Sequence, residues 1–183
     1  ENPKDEDQNN KNEFIVSMLT QGSERPTAEI TVNVTDDNLF NPTLVGDVIN
    51  GPSGNFGQSV DLDSNGTSLV VGTPGSDSNL GSVLVYSFDG SSWSQKGDTI
   101  LGEGNGDGVD SWGEAVSISS DGSVITAAAN NNDSPPLYNT GHVRIFEWSN
   151  NNWAQKGSDI DGVMRSQNMG RKEGGRAIDL SDD

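Results

Sequence analysis

The chain has 183 residues, 30% of them hydrophobic and 23 of them glycine, enough for one ordinary domain or two small ones and too apolar-poor for a helical bundle. Ten Lys+Arg against 28 Asp+Glu leave a net charge of −18, which argues against nucleic acid and anionic membrane as partners and favours hard cations, above all calcium. Cysteine is absent and His142 is the only histidine, which removes disulfides, thiolate zinc sites, a Cys nucleophile and a His-rich metal cluster, and makes a Ser-His-Asp triad improbable.

Residues 1–12 are polar and charged. We expect them to be disordered or to belong to an upstream domain. No apolar run approaches the roughly 18 residues that a membrane helix needs, and no apolar stretch near the start marks a signal peptide. The chain begins at Glu1, and we expect it to be a fragment or a mature piece.

Residues 13–38 predict a hairpin. Phe14, Val16 and Met18 alternate with Ile15, Ser17 and Leu19; Gly22 to Pro26 reads as a turn; Ile30, Val32 and Val34 alternate with Thr31, Asn33 and Thr35. Two strands alone are marginal in water, so the hairpin is expected to complete a larger sandwich. Residues 39–45 read as a linker.

From residue 46 the chain repeats itself. Gly46-Asp47-Val48-Ile49 returns as Gly97-Asp98-Thr99-Ile100 and as Gly157-Ser158-Asp159-Ile160. Phe56-Gly57-Gln58-Ser59-Val60-Asp61-Leu62 returns as Trp112-Gly113-Glu114-Ala115-Val116-Ser117-Ile118, and in worn form as Gly174 to Leu180. Gly81 to Tyr86 matches Gly141 to Phe146, and Trp93 to Gly97 matches Trp153 to Gly157. The order of the blocks is kept throughout, which sets the units at 46–97 and 98–157, with 158–183 opening a third.

Each unit holds four strand-like runs. The first alternates, with Val60/Leu62, Val116/Ile118 and Ile178/Leu180 facing one way. Ser64-Asn65-Gly66 and Ser120-Asp121-Gly122 then predict tight hairpins with positive φ at both central residues. A run of small apolar residues follows. The third run is apolar on both faces, Val83/Val85 against Leu84/Tyr86/Phe88, so its sheet lies between neighbours. The fourth is short and led by Trp93 or Trp153. Four-stranded sheets at this repeat length describe an all-β fold, a partial β-propeller of two antiparallel blades plus the start of a third. A β-solenoid is the competing repeat, but its coils are shorter and lack hairpin turns.

Phe56-Gly57, Val70 to Pro74 and Gly81 to Tyr86 resemble the FG-GAP repeat of integrin-type β-propellers. Trp112-Gly113 and Ala128-Ala129-Asn130 depart from that pattern, and the second unit is similar to the variant found in large microbial and algal surface proteins. The stretch Ala28 to Asn38 resembles the closing strand and acidic linker of a cadherin-like domain. The resemblance implies a piece of a large extracellular or cell-surface protein. Its expected role is cell adhesion or binding of a protein or carbohydrate ligand through blade loops, with further blades of the same chain as partners. We expect no enzyme. The alternatives are an accessory propeller of a surface polysaccharide-degrading enzyme, or a structural spacer.

The resemblance also implies calcium as a structural ion. Asp36, Asp37 and Asn38 stand in the cadherin-like linker. Asp61, Asp63 and Asn65 stand where integrin blades carry a calcium loop, although Leu69 replaces its closing acid and a plain hairpin is the better reading. Glu103 to Gly108 with Glu114 has EF-hand-like spacing, but its first residue should be Asp and Glu114 falls in a predicted strand, so an inter-blade loop is expected. Trp93, Trp112, Trp148 and Trp153 are read as packing residues rather than a sugar platform. His142 occupies the place of Ser82 and reads as an ordinary strand-edge position. Asn33, Asn65 and Asn132 each open an N-glycosylation sequon, relevant only if the source is eukaryotic.

Overall fold

The computed structural model describes residues 43–104, 109–134, 136–165, 168, 170 and 178–181, together with the backbone of strands 13–19 and 29–35. The fold is all-β. Strand β1 (Glu13–Leu19) pairs antiparallel with β2 (Glu29–Thr35) in the register Glu13↔Thr35 to Leu19↔Glu29. The short β3 (Thr43–Leu44) adds to β2, Asn33 facing Leu44, so the last residues of the expected linker belong to this three-stranded sheet.

The first repeat unit folds as an antiparallel meander of β4 (Ser59–Leu62), β5 (Ser68–Thr73), β6 (Ser82–Phe88) and β7 (Trp93–Gln95). A further short strand, β8 (Ile100–Leu101), also pairs with β6. The second unit repeats the plan with β9 (Trp112–Ile118), β10 (Val124–Ala129), β11 (His142–Ser149), β12 (Asn152–Gln155) and β13 (Ile160–Asp161), which pairs with β11. Registers coincide between the units. Val60 faces Val71 as Val116 faces Ala127, and Phe88 faces Trp93 as Trp148 faces Trp153.

Two sequence expectations change. The outer strand of each sheet is broken rather than simply short. After β7, Lys96 N donates to the Val85 carbonyl at 2.8 Å; Gly97 turns at φ +81°, and the chain rejoins β6 as β8. Lys156, Gly157 and β13 do the same beside β11. Residues 100–101 and 160–161 therefore complete the sheet before them, beyond the unit limits at 97 and 157. The hairpin turns also differ. Gly66 N donates to the Asp63 carbonyl and Gly122 N to the Ser119 carbonyl, so Ser64-Asn65 and Ser120-Asp121 are the central pairs. Only the following glycine takes positive φ, 67° and 68°. This is the longer hairpin loop with a left-handed glycine, not the two-residue primed turn.

Burial follows the alternation in β6. Leu84 and Tyr86 join Ile49, Phe56, Leu69 and Val71 on one face. Val70, Val83 and Val85 point the other way and pack on the second sheet, against Trp112, Val116, Ile125, Ala127, Phe146 and Trp153. The second sheet thus offers to the first the same face that the first covers with Ile49 and Phe56. The sheets approach so closely that a Cβ at Gly113 would meet the Ser82 carbonyl at 2.7 Å, which is why β9 carries glycine at its second position.

Candidate functional site

The innermost strands, β4 and β9, lie side by side in repeat register. Gln58 Nε2 donates to Glu114 Oε2 at 2.6 Å, and Ser64 N donates to the Ser120 carbonyl at 3.0 Å; both pairs are 56 residues apart. Between them, Asp61 Oδ2 accepts from Ile118 N and from Ser117 Oγ, each at 3.0 Å. One unit further, Ser117 Oγ accepts from Leu180 N at 3.3 Å and lies 3.2 Å from Asp179 Oδ1. Asp61, Ser117 and Asp179 are equivalent repeat positions. Asp61 and Ser117 therefore each satisfy a backbone N–H of the next unit, Ile118 N and Leu180 N, where no ladder partner is available. A polar cleft of about 250 Å³ opens here, lined by Asp61, Ser64, Ser120, Asp179 and neighbouring apolar residues.

Three of the predicted calcium residues, Asp61, Asp63 and Asn65, fall within the described part. Asp61 is buried and holds the neighbouring sheet. Asp63 accepts from Thr67 N at 2.7 Å through Oδ1 and from Thr67 Oγ1 at 2.9 Å through Oδ2. Asn65 sits exposed at the turn. Asp36, Asp37 and Asn38 lie outside the described residues. In the EF-hand-like stretch, residues 105–108 lie outside them too. Glu103 N and Gly104 N donate to Asp110 Oδ2 at 2.9 and 2.6 Å, and Glu114 is engaged by Gln58. The tryptophans pack as the repeat implies. Trp93 lies tilted against Phe88 at 5.0 Å between centroids, and Trp153 meets Trp148 edge-on at 5.2 Å. Each indole N–H reaches back to the chain just before its own unit, Trp93 to the Val45 carbonyl and Trp153 to the Lys96 carbonyl.

A second cluster sits where the first unit's outer loop meets the second sheet. His142 opens β11 and is 1% exposed, its ring 5.6 Å edge-on from Trp112. Neither ring nitrogen has a hydrogen-bond partner. Nδ1 stands 3.8 Å from Asp159 Oδ2 and 4.0 Å from Glu103 Oε2, too far for hydrogen bonds. Burial, aided by the Arg144 charge and opposed by Asp159, pushes the imidazole down to about 4, so it is neutral at pH 7 and forms no ion pair with either carboxylate. Arg144, two residues along the same strand, stacks 3.9 Å over Trp112. Its Nη2 donates to the Leu101 carbonyl at 2.9 Å and its Nη1 to Glu103 Oε1 at 3.4 Å. Burial raises the Glu103 carboxyl; Arg144 opposes this, and Asp159, Asp110 and Asp161 add to it. Asp161 is raised as well, by burial and then by Asp159.

The expectation that His142 is an ordinary strand-edge residue gives way to a buried imidazole aimed at two acids. The signal was present in the repeat. His142 and Arg144 replace Ser82 and Leu84, so the second unit puts a titratable group and a charge into a layer that its neighbour fills with Leu84. Such groups are rarely buried without partners.

Scanned against known protein families, the chain matches no family model, and a search of curated proteins finds no match. Among the described residues, no helix is long and apolar enough to cross a membrane.

Proposed function

We propose that the chain is part of a repeat-built β-propeller that serves adhesion or ligand binding at the cell surface or outside the cell, without catalytic chemistry of its own. The observation that carries this reading is the bonding of successive units through equivalent positions: Asp61 to Ile118 N, then Ser117 to Leu180 N. An interaction that recurs at each step extends to further units without redesign.

The outer face of the second sheet supports the same reading. Val143 and Ile145 are half-buried, whereas their counterparts Val83 and Val85 are buried against a neighbour. Ile160 is 49% exposed, although Ile49 in the same repeat place is 6% exposed. Gly46 and Gly97 each sit against an aromatic pair, Phe88/Trp93 and Trp148/Trp153; a Cβ at Gly157, in the same conformation, would meet nothing within 4 Å. A further blade supplies what these positions lack. The loops at the sheet ends then form a rigid rim on which a protein or carbohydrate ligand docks. Calcium belongs to this reading as a structural ion near Asp36, Asp37 and Asn38 or at the turn of Asp61, Asp63 and Asn65.

The test is a panel of immobilised glycans and matrix proteins probed with the labelled chain, in millimolar calcium and in chelator, with product release followed in parallel. Saturable binding without turnover is expected. Cleavage of any glycan would instead assign the chain to a degrading enzyme, and no binding to any member would make it a spacer.

A further inference from the structure

We propose that Glu103, His142 and Asp159 form a binding site for a first-row divalent transition metal, with zinc as the representative ion. The three side chains each offer a ligand atom, and these atoms lie within 4.8 Å of one another. They come from three places in the chain: the loop after β8, the start of β11 and the approach to β13.

The acidic residues alone do not make the case. His142 does, being 1% exposed, with Nδ1 lacking a hydrogen-bond partner and two carboxylate oxygens as its near neighbours. Burying an imidazole without a partner costs free energy, and nothing in the repeat demands it, since the first unit has Ser82 there. A metal on Nδ1 supplies the missing partner.

The chemistry of the donors selects the ion. One neutral imidazole nitrogen and two carboxylates suit zinc and its first-row relatives, whereas calcium takes 6–8 oxygens. Arg144 bonds Glu103 through Oε1, which leaves Oε2 on the His142 side, an orienting role of the kind that metal ligands receive from outer neighbours. Its positive charge opposes a cation, but Asp110 and Asp161 offset it electrostatically. Metal bonds are about 2.0–2.2 Å, so the ligands must close in. Glu103 and Asp159 can do this because their side chains are 30% and 26% exposed. Glu103 precedes the second sheet and His142 lies within it, so the ion staples the loop between the units to the second sheet.

The experiment uses the whole chain in metal-free buffer. Zinc is titrated by calorimetry, cobalt by visible absorption, and the only histidine is followed by nitrogen NMR after selective labelling. One equivalent of zinc is expected to bind, to move the His142 Nδ1 resonance and to raise Tm; calcium at equal concentration is expected to leave that resonance in place. Because His142→Ala removes a core side chain and can unfold the protein, Glu103→Gln and Asp159→Asn are the deciding variants. Each should weaken zinc at least tenfold with the fold intact by circular dichroism. Absence of saturable binding overturns the site. So does zinc binding that leaves the His142 signal unmoved, or that survives both substitutions, since either places the ion elsewhere on an acidic surface.

Discussion

Arg144 stacks 3.9 Å over the indole of Trp112, in the repeat position that the first unit fills with Leu84. The guanidinium is buried, and its Nε has no hydrogen-bond partner. Buried charges are often less stabilising than well-packed apolar residues of similar size, whereas truncation leaves partners unpaired. Arg144→Leu is therefore expected to keep or raise stability in urea denaturation, and Arg144→Ala to lose about 2–4 kcal/mol through the space opened beside Trp112. Equal losses for both would show that the charge itself stabilises the layer.

The histidine predicts a pH dependence with a definite sign. Its folded pKa, about 4, lies below the unfolded value near 6.5. The folded state thus favours the neutral ring. The stability it contributes is fully present above pH 6.5 and is lost as pH falls towards 4, because the unfolded chain takes up a proton that the folded chain refuses. The loss is on the order of 3 kcal/mol from this residue. Urea melts in metal-free buffer between pH 7 and 4, compared with His142→Gln, should show it. An imidazole titrating near 6.5 by NMR would contradict the buried setting.

The two glycines at φ +81° separate conformational strain from packing. Gly97 and Gly157 share the left-handed backbone, so alanine costs each about 1 kcal/mol for strain. At Gly97 the added methyl also meets Trp148 and Trp153 at 2.8 and 2.9 Å, whereas at Gly157 it meets nothing within 4 Å. Gly97→Ala should therefore lower Tm by clearly more than Gly157→Ala. Equal effects would remove the docking of that turn on the tryptophan pair.

Asp61 carries the seam. Asp61→Ala strips the acceptor from Ile118 N in a buried place and should cost about 1–3 kcal/mol. Asp61→Asn keeps an acceptor oxygen and should cost less. The comparison is made by chemical denaturation at pH 7. If alanine and asparagine behave alike and mildly, the carboxylate is not holding the second sheet.

Much of this architecture is written locally. Trp93 and Trp153, the alternation of Val83 and Val85 with Leu84 and Tyr86, and the buried aromatics Phe56 and Trp112 recur in phase, and their contacts recur with them. The broken outer strands were hidden because Ile100 and Ile160 stand past a turn that reads as a boundary, while their partners Val83 and Val143 lie 17 residues earlier. The turn type was misread because Asp63 and Ser119 close each turn one residue earlier than the Asn-Gly and Asp-Gly pairs imply. The His142 cluster is only half legible: the exchange of Ser82 and Leu84 for His142 and Arg144 stands in the repeat, but the partners do not. Glu103, His142 and Asp159 are scattered along the chain, and only the stacking of one sheet on the next brings them together.

The central claim, that successive units lie in repeat register along their innermost strands, is open to direct chemical measurement because the chain has no cysteine. Ser64 N bonds the Ser120 carbonyl at 3.0 Å, close enough for a disulfide between cysteines at these positions. Ser64→Cys with Ser120→Cys should cross-link fully under mild oxidation, detected as faster migration on a non-reducing gel. The off-register pair, Ser64→Cys with Glu114→Cys, should stay reduced. Failure of the first pair, or equal cross-linking of both, would contradict the account.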